Sequence, residues 1–577
     1  MKDSPTVERT PERPQRRRLA HLSLFFLVLF FFAIYTPIVR FANRGHGRGW
    51  LSDVPRRHGG GPEDWCKLAD VLSPPDDDGL KSGDRLMSDE QRGIQVKRLT
   101  DAVAVPTESF DDNGDVDADP RWAVFGEFHK VLEQTFTLVH SHLELKKVNR
   151  YGLQYTLRGS DPSLKPILFM AHQDVVPAGN ASHWKYPPFE PHYDGQFLWG
   201  RGSNDCKNVL IGLLSVMEDL LSQDFRPRRT IVFAFGFDEE TGGKRGATKL
   251  SESLVEEWGR DSFELVLDEG GMGTETMGDD VLYVYPAVSE KGYHDVLLSL
   301  DVQGGHSSRP PPHSAIGAMA ELVTEVEREP YKPRLTRESP FRRVLECKAK
   351  HSPRDVQPWL MEGLQRCDEE KIAEKLVSLK PEEERWLMQT SQAVDVISGG
   401  VKANALPEHV ELLINHRVAQ HESVAFVNQR LDKIVRRIAH KYGLDMRGSG
   451  GQASPPRNDS ALKGSIGYTG VQTLPPAPLS PTDNDVWAVF SGTLRHAFGS
   501  VPEGEGRTVV PVGNIMTGNT DTAHYWDLTR NIYRFTPART GTRLNAHGTD
   551  ERMDMAAHLE GMRFYYDLIR NFDHWQS

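Results

Sequence analysis

The chain has 577 residues, more than one compact core usually holds, so two or more domains are expected. Hydrophobic residues make up 38% of it and charged residues 26%, a balance typical of folded, soluble domains. The net charge of -12 argues against nucleic acid as a partner, because phosphate binding requires a basic surface. The four cysteines form no Cys-x-x-Cys pair, which excludes a thiolate zinc finger. In an oxidising compartment, Cys347 and Cys367 could form a disulfide, which the sequence alone does not decide.

A run of apolar residues near the N-terminus, at 19–39, is long enough to cross a membrane. It contains no Asp, Glu, Lys or Arg, and about 20 apolar residues span a bilayer. A cleaved signal peptide is the alternative, but the run has no clear small-x-small cleavage site and follows a long basic region. We therefore predict a cytoplasmic tail at 1–18, a transmembrane anchor at 19–39 and a stalk or linker at 40–87, where Gly, Pro, Arg and Asp are frequent.

The orientation of this single-pass membrane protein is only weakly marked. Basic residues flank the anchor on both sides in similar numbers, so the positive-inside rule does not decide it. Two glycosylation sequons, Asn180-Ala181-Ser182 and Asn458-Asp459-Ser460, lie in the large C-terminal part. They favour a lumenal position for the catalytic part of the chain, in the secretory pathway.

The segment from 160 to 270 alternates strands and helices. Short continuous apolar runs at 167–170, 231–235 and 265–267 are separated by patterns with helical spacing, such as the one over 209–221. Continuous apolar strands with helices between them are typical of an α/β fold with a mostly parallel sheet.

The segment from about 289 to 477 has a different hydrophobic pattern, which is typical of half-exposed strands and amphipathic helices. It indicates a separate α+β, ferredoxin-like lid domain with a polar insertion near 330–395. We therefore predict a discontinuous α/β catalytic domain, with a first part at 88–288 and a second part at 478–577.

Each cluster of acidic or imidazole side chains follows one of the apolar strands or opens a helix. Sites in open α/β sheets form at the carboxyl ends of the strands, so the clusters should meet in one crevice. A single histidine or aspartate at such a place is usually a hydrogen-bonding or capping residue, but the complete set in this order is not. The motifs are Met170-Ala171-His172-Gln173-Asp174, Gly202-Ser203-Asn204-Asp205, Asp238-Glu239-Glu240 and Asp268-Glu269-Gly270-Gly271.

Four of these side chains, His172, Asp205, Glu240 and Asp268, indicate a metal site. Several carboxylates in one pocket repel one another strongly unless a cation lies between them. Nitrogen and oxygen ligands without thiolate suit zinc, with manganese or cobalt as lesser options. So many ligands indicate two ions, which can share a water molecule and lower its pKa.

Together the motifs resemble those of the aminoacylase/carboxypeptidase clan of di-zinc exopeptidases, over roughly residues 90–577. The resemblance implies two zinc ions per subunit, with Asp205 bridging them. It places His172 and Asp268 on one ion, and Glu240 and a C-terminal histidine on the other.

The same resemblance implies roles for two further carboxylates. Glu239 would be the general base, and Asp174 would hold the metal-binding histidine ring from behind. Cys206 has none of the Cys-His-Asn surroundings of a nucleophile, so we interpret it as packing beside the metals.

Two histidines compete for the C-terminal ligand position. The family's ligand stands in a His-x-x-Asp-Glu setting just before the last helix, and the sequence His547-Gly548-Thr549-Asp550-Glu551 matches that setting. We therefore assign His547 as the ligand, and interpret His524 as part of the pocket wall or scaffold.

The predicted lid carries three further candidates through the resemblance. His306, in Gly304-Gly305-His306-Ser307, would stabilise the oxyanion, and in dimeric relatives the matching histidine often comes from the partner subunit. Arg417 and Asn404 would hold the substrate carboxylate, a task that suits the bidentate guanidinium. A homodimer through the lid follows as an expectation.

The expected reaction is metal-assisted hydrolysis of the C-terminal peptide bond of short peptides, of the Gly-Xaa type. An N-acyl amino acid hydrolase is the main alternative, because both kinds of substrate present an amide next to a free carboxylate. An inactive, membrane-anchored binding protein is another, and the intact set of metal-ligand candidates argues against it. The resemblance also implies delivery to the vacuole.

Overall fold

The computed structural model describes residues 62–380, 384–447 and 462–576. The predicted cytoplasmic tail, the transmembrane anchor at 19–39, the linker up to residue 61 and the sequon at Asn458 lie outside these ranges. Among the described helices, none combines the length and apolar character needed to cross a bilayer.

Thirteen α-helices lie in the described ranges. Those of the first part are α1 (Asp89–Val103), α2 (Val124–Thr135), α3 (Thr137–His142), α4 (Lys207–Ser222) and α5 (Ala247–Trp258). The middle of the chain contributes α6 (Ala315–Arg328), α7 (Pro340–His351), α8 (Pro358–Arg366), α9 (Glu369–Leu379), α10 (Arg385–Met388) and α11 (Val424–Tyr442). The last two are α12 (Asp485–Phe498) and α13 (Met555–His574).

The strands of the described residues group along the chain in the same way. The first are β1 (Glu144–Val148), β2 (Gly152–Leu157), β3 (Ile167–His172), β4 (His192–Tyr193), β5 (Phe197–Trp199), β6 (Ile231–Gly236) and β7 (Leu265–Asp268). Next come β8 (Thr274–Met277), β9 (Val281–Val284), β10 (Ala287–Glu290), β11 (Gly292–Val302) and β12 (Gly305–His306). They are followed by β13 (Ser391–Gly399), β14 (Ala405–Leu406), β15 (His409–Val418), β16 (Asp445–Arg447) and β17 (Gly464–Leu474). The last are β18 (Thr508–Pro511), β19 (Asn514–Met516), β20 (Ile532–Arg534), β21 (Arg543–Leu544) and β22 (Arg552–Asp554).

An eight-stranded mixed sheet has the order β1-β2-β6-β3-β7-β20-β10-β19, and its strands β3 and β7 end in His172 and Asp268, two of the residues predicted to bind metal. Its centre, from β6 to β20, is parallel, whereas β1, β2 and the β20–β10 pairing are antiparallel. Helices cover both faces of β3: Ile167 and Phe169 pack in the same core as α4 and α13, and Leu168 and Met170 pack with α5. This two-sided burial explains why the central strands are continuously apolar in sequence.

A second sheet, in the order β13-β15-β11-β17-β16, has one covered face and one exposed face. Strand β11 buries every second side chain, and those side chains pack with α6 and α11. We call this sheet, together with α6, α11 and the short β12–β14 pair, the lid. Its half-buried strands account for the alternating pattern in the sequence.

Helices α7, α8 and α9 form most of the insertion predicted near 330–395. They share a separate hydrophobic core with β9 and β18, in which Tyr283, Phe341 and Leu360 are buried. The insertion therefore packs as a small helical layer of its own.

Residues 62–87, which we call the N-terminal strap, were predicted to be part of an unstructured linker, and this prediction is wrong. Trp65 is buried beside the insertion, and Cys66 forms a disulfide with Cys347 of α7. Further along, the Leu72 N–H donates to the carbonyl of Gly492 at 3.0 Å. The open alternative of a Cys347–Cys367 disulfide is also not found, and Cys367 is a free thiol. Contacts with distant residues order the strap, which its Pro- and Gly-rich composition does not reveal.

Candidate metal centre and substrate cleft

The side chains predicted to bind metal converge at one end of the eight-stranded sheet. His172 is the last residue of β3, Asp268 is the last residue of β7, and Glu239 and Glu240 open a short 3-10 helix after β6. These strands are parallel neighbours, so their carboxyl ends lie side by side. Asp205 comes from the loop that leads into α4.

Asp205 lies between the two histidines predicted as ligands. Its Oδ1 is 3.2 Å from His172 Nε2, and its Oδ2 is 3.2 Å from His547 Nε2. His547, in the loop between β21 and β22, also lies 3.0 Å from Glu240 Oε2. A carboxylate with one oxygen toward each histidine has the geometry for bridging two ions.

Glu269 was not among the predicted ligands, yet its Oε1 lies 3.1 Å from His172 Nε2. The neighbouring Asp268 is turned toward the chain, because its Oδ1 accepts the backbone N–H of Glu269 at 2.8 Å. Two sets of side chains bring their ligand atoms within 4.8 Å of one another: His172, Asp205 and Glu240, and His172, Cys206 and Glu269. The tandem Asp-Glu was the available signal, but it does not tell which carboxylate faces the centre.

Burial raises the pKa of three of the carboxyls gathered here, those of Glu239, Glu240 and Asp268. The pKa of Glu240 rises to about 7. That of Asp268 also rises to about 7, with the charge of Glu269 adding to the effect of burial. Burial likewise raises the pKa of Glu239 well above its ordinary value. The cluster thus resists carrying its negative charges together unless a cation lies among them.

The donor atoms present fit such a cation. Glu240 Oε1 and Asp268 Oδ2 are buried without a hydrogen-bond partner among the described residues. A buried carboxylate oxygen without a partner is strongly unfavourable unless it meets a cation or a proton. Together with the imidazole nitrogens of His172 and His547, these oxygens form the kind of donor set that divalent zinc prefers.

Asp174 is buried beneath this centre and positions two parts of it. Its Oδ1 and Oδ2 accept the backbone N–H groups of Glu239 and Glu240, each at 3.1 Å. His172 Nδ1 lies 2.9 Å from the backbone carbonyl oxygen of Asp174 and 3.4 Å from its carboxylate. Asp174 therefore holds the turn of the two glutamates as well as the imidazole ring.

A second buried carboxylate, Glu551, joins the loop of Asp205 to the loop of His547. Its Oε2 lies 2.6 Å from the guanidinium of Arg201, and both side chains are buried. The Glu551 oxygens also accept three backbone N–H groups of the loop before α4, at 2.9–3.2 Å: those of Gly202, Asn204 and Asp205. Glu551 belongs to the motif that contains His547, but its role in connecting the two loops was not predicted.

Arg417 of β15 faces the cleft that contains the predicted catalytic residues. A cavity of about 470 Å³ is lined by Glu239, Glu240 and His547 from below and by Arg417 and Tyr293 from the lid. The guanidinium lies over the Tyr293 ring, 4.5 Å from its centroid.

His306 and Asn404 lie together on an exposed part of the lid. His306 belongs to β12, which pairs with β14, and the Ser307 N–H donates to the carbonyl of Asn404 at 3.2 Å. Both residues are exposed. The described residues that line the cavity with Arg417 include neither of them.

His524 and Cys206 both make hydrogen bonds beside the centre. His524 Nδ1 lies 2.9 Å from the hydroxyl of Thr248, and its Nε2 lies 3.1 Å from the carbonyl of Gly242. Cys206 is fully buried, and its Sγ accepts the backbone N–H of His172 at 3.2 Å.

The model of peptidase family M20/M25/M40 matches residues 168–571, which is more than half of the chain. The chain belongs to this peptidase family. The matched range runs from β3 into the last helix, so it contains all the residues of the centre described above. The family membership predicted from the motifs is thereby confirmed.

Full-length similarity supports the assignment to family M20. Carboxypeptidase S of Saccharomyces cerevisiae is 41% identical over 534 residues, which are 90% of this chain and 91% of that protein. An N-fatty-acyl-amino acid synthase/hydrolase of Danio rerio is 30% identical over 84% of this chain and 87% of that protein. Human carnosine dipeptidase 1 has the same fold, with a TM-score of 0.58 at 15% identity over 87% of this chain and 100% of that chain. The predicted α/β class is thus confirmed as an M20 peptidase fold with a mixed sheet.

Proposed function

We propose that the protein is a metal-dependent carboxypeptidase that hydrolyses the C-terminal peptide bond of short peptides, of the Gly-Xaa type. One observation carries this proposal: a single cavity contains the predicted base Glu239, the predicted ligands Glu240 and His547, and the guanidinium of Arg417. A guanidinium at this place selects substrates whose amide lies next to a free carboxylate. The 41% identity to carboxypeptidase S supports the same activity.

The proposed cofactor is a pair of zinc ions. The residues proposed to hold them are His172 and Glu269 for one ion, Glu240 and His547 for the other, and Asp205 between the two. When bound, such ions polarise the scissile carbonyl and lower the pKa of a water molecule. Asp268, predicted for the first ion, competes with Glu269 for that place.

Metal content distinguishes these two carboxylates. Glu269→Ala should bind one zinc ion in place of two after dialysis against metal-free buffer, because it loses the oxygen that faces His172. Asp268→Asn should keep both ions. The reverse pattern in elemental analysis would return the ligand position to Asp268.

Glu239 is proposed to take a proton from the attacking water and to pass it to the leaving amine nitrogen. Its Oε2 lies 4.0 Å from His172 Nε2, beside the centre but outside the closest contacts. Arg417 holds the carboxylate of the last residue, which fixes the last peptide bond against the water. The carbon–nitrogen bond breaks, and the products are a free amino acid and the shortened peptide.

We further propose that His306 and Asn404 act in the cleft of a second copy of the chain. Their exposure on the lid, away from the described lining of their own cleft, supports this arrangement. In it, His306 would stabilise the oxyanion and Asn404 would bind the substrate carboxylate beside Arg417. The lid would then be the interface of a homodimer.

An N-acyl amino acid hydrolase is the second candidate function. The 30% identity to the N-fatty-acyl-amino acid synthase/hydrolase of Danio rerio favours it. Such a substrate places an amide beside a free carboxylate as a peptide does, so Arg417 would serve both.

The deciding experiment compares a blocked Gly-Leu dipeptide with a long-chain N-acyl leucine, using the full-length protein in detergent with and without a chelator. Chelator-sensitive hydrolysis of the dipeptide, with the acyl substrate spared, is the expected result. The opposite preference would establish the second function. If the protein binds no zinc and hydrolyses neither substrate, the remaining hypothesis is the inactive, membrane-anchored binding protein.

We propose that the catalytic part is lumenal, in the vacuole or the secretory pathway, behind the anchor at 19–39. The Cys66–Cys347 disulfide supports an oxidising compartment. Asn180 of the first sequon is exposed and open to glycosylation. A mass shift on deglycosylation that Asn180→Gln reduces, and that Asn180→Gln with Asn458→Gln abolishes, is the expected result. Protection of the glycan-free protein from added protease in intact vesicles is the matching control.

A further inference from the structure

Asn519 connects three separate parts of the molecule at the edge of the cleft. It belongs to the loop between β19 and β20, and it lines the same cavity as Arg417. Its Oδ1 accepts a hydrogen bond from Arg417 Nη1 at 3.0 Å. Its Nδ2 donates to the backbone carbonyl of Lys291 at 2.7 Å, where the chain passes from β10 into the lid.

The two partners of Asn519 leave its amide group only one orientation. A backbone carbonyl can only accept, so the amide nitrogen must face Lys291. A guanidinium can only donate, so the amide oxygen must face Arg417. Both requirements are met at once, and an amide turned by 180° would lose both bonds.

The loop of Asn519 is itself held firmly against the eight-stranded sheet. The hydroxyls of Thr520 and Thr522 donate to the two oxygens of the buried Glu290, at 2.8 and 3.2 Å. Arg534 of β20 donates from Nε to the Thr522 hydroxyl at 2.9 Å. The amide of Asn519 therefore has a fixed position relative to the strands that carry the metal centre.

Arg417 is supported on a second side by Tyr293, the residue paired with it across β11 and β15. The aromatic ring covers one face of the guanidinium, and Asn519 takes one of its five N–H donors. Among the described residues, Asn519 is the hydrogen-bond partner found for this guanidinium, so its remaining donors can meet a carboxylate in the cleft. Without Asn519, a long arginine side chain on a lid strand has many rotamers and binds a carboxylate less well.

We propose that Asn519 is a positioning residue that aligns Arg417 and thereby makes the enzyme selective for substrates with a free C-terminal carboxylate. This inference rests on the proposed function, in which Arg417 binds that carboxylate. Asn519 acts on selectivity through Arg417 and does not take part in the hydrolytic step. Its effect must therefore disappear when either the guanidinium or the substrate carboxylate is removed.

The test uses the full-length protein, a blocked Gly-Leu dipeptide and the same dipeptide with a C-terminal carboxamide. The variants are Asn519→Leu, Arg417→Met and the double variant. Asn519→Asp, a nearly isosteric change, is a second probe in case the leucine variant does not fold. Asn428→Leu is the matched control, because it removes an amide that lies 2.9 Å from His294 Nε2 within the lid.

For Asn519→Leu we expect kcat/KM on the free acid to fall roughly 10- to 100-fold, the usual size for a lost hydrogen bond to a charged group. The fall should appear mainly as a rise in KM, and kcat/KM on the carboxamide should equal that of the wild type.

For the double variant, kcat/KM on the free acid should be no lower than for Arg417→Met alone. Asn519→Asp should also raise KM for the free acid, because its carboxylate competes for the guanidinium. Asn428→Leu should lower the melting temperature and leave the ratio of acid to carboxamide unchanged.

Equal losses on the acid and the carboxamide would overturn the inference, as would fully additive losses in the double variant. The proposed function is judged separately, on the wild type alone. A wild type without preference for the free acid would overturn both the function and the role of Asn519.

Discussion

The metal centre and the exposed part of the lid are built in opposite ways. At the centre, Asp205 lies 3.2 Å from both the buried His172 and the exposed His547, and His172 also lies 3.1 Å from Glu269. On the lid, His306 and Asn404 are exposed, and the hydrogen bonds of His306 stay within its own turn. One region is complete within a single chain, and the other presents its functional groups to the outside.

This difference separates groups that act within one chain from groups whose action depends on where the lid lies. The residues proposed to hold the ions and move the proton depend only on the packing of the eight-stranded sheet and its loops. The residues proposed to contact the substrate lie on the lid, and their effect depends on how the lid meets the cleft. Variants of the centre should therefore impair hydrolysis within each chain, whereas variants of the lid should act through assembly, as proposed for His306, or through substrate choice, as proposed for Arg417.

The largest effect is expected for Glu239→Gln, at the centre. Loss of the base should reduce kcat by roughly 1,000-fold or more on all substrates. Both zinc ions should remain, because Glu239 is not one of the proposed ligands. Turnover and elemental analysis of the same preparation check the two statements. Near-normal turnover would rule out this residue as the base.

His306→Ala should reduce kcat by about 100- to 1,000-fold, the range for removing an oxyanion donor. If His306 acts in the cleft of a partner, a mixture of His306→Ala and Glu239→Gln proteins should regain activity after subunit exchange. The mixed dimer has one site with both groups, so roughly a quarter of the wild-type rate is expected for random pairing. A mixture as inactive as its components would place His306 outside the partner's cleft.

Glu551→Gln tests whether the buried carboxylate that connects the Asp205 loop to the His547 loop supports metal binding. The variant leaves the Arg201 guanidinium without its carboxylate and weakens three backbone hydrogen bonds. Zinc affinity should fall about 10- to 100-fold, as for other residues that orient metal ligands. Competition with a chromogenic chelator measures this directly. A mere fall in melting temperature, with zinc affinity unchanged, would make Glu551 a purely structural residue.

Sequence patterns predicted where the motifs lie because strands and turns are local features, as for His172 at the end of β3 and Asp205 in the loop before α4. They did not show which carboxylate, that of Asp268 or that of Glu269, points toward the metal centre. The direction of two adjacent side chains depends on how the strand ends. The sequence patterns also could not place His306, whose position relative to any cleft depends on tertiary and quaternary contacts.

The N-terminal strap illustrates the same limit on a larger scale. Its disulfide joins Cys66 to a residue 281 positions later, whereas the open alternative joined two cysteines that are close in sequence. The partner of Leu72 on the main chain is Gly492, near the other end of the protein. Such contacts leave no periodic signal in the segment that they order.

The last expected effect concerns stability, and there the two regions should behave alike. Each side of the comparison has a buried histidine nearby: His558 of α13, the helix that packs against α4 beside the eight-stranded sheet, and His416 of the lid. Burial lowers the pKa of both from 6.5 to about 4. The folded state thus favours the neutral imidazole, while the unfolded chain takes up a proton as the pH falls below about 6.5.

Stability contributed by the neutral His558 is therefore present at pH 7 and is lost as the pH falls from about 6.5 toward 4. His558→Met should lack this loss, so relative to the wild type it should gain roughly 2–3 kcal/mol between pH 7 and pH 4. Urea denaturation in the presence of a chelator measures the difference without a contribution from metal release. A parallel gain for His416→Met would show that acid weakens the centre and the lid by the same mechanism. Equal pH profiles for the wild type and His558→Met would show that the pKa of His558 is not lowered by burial.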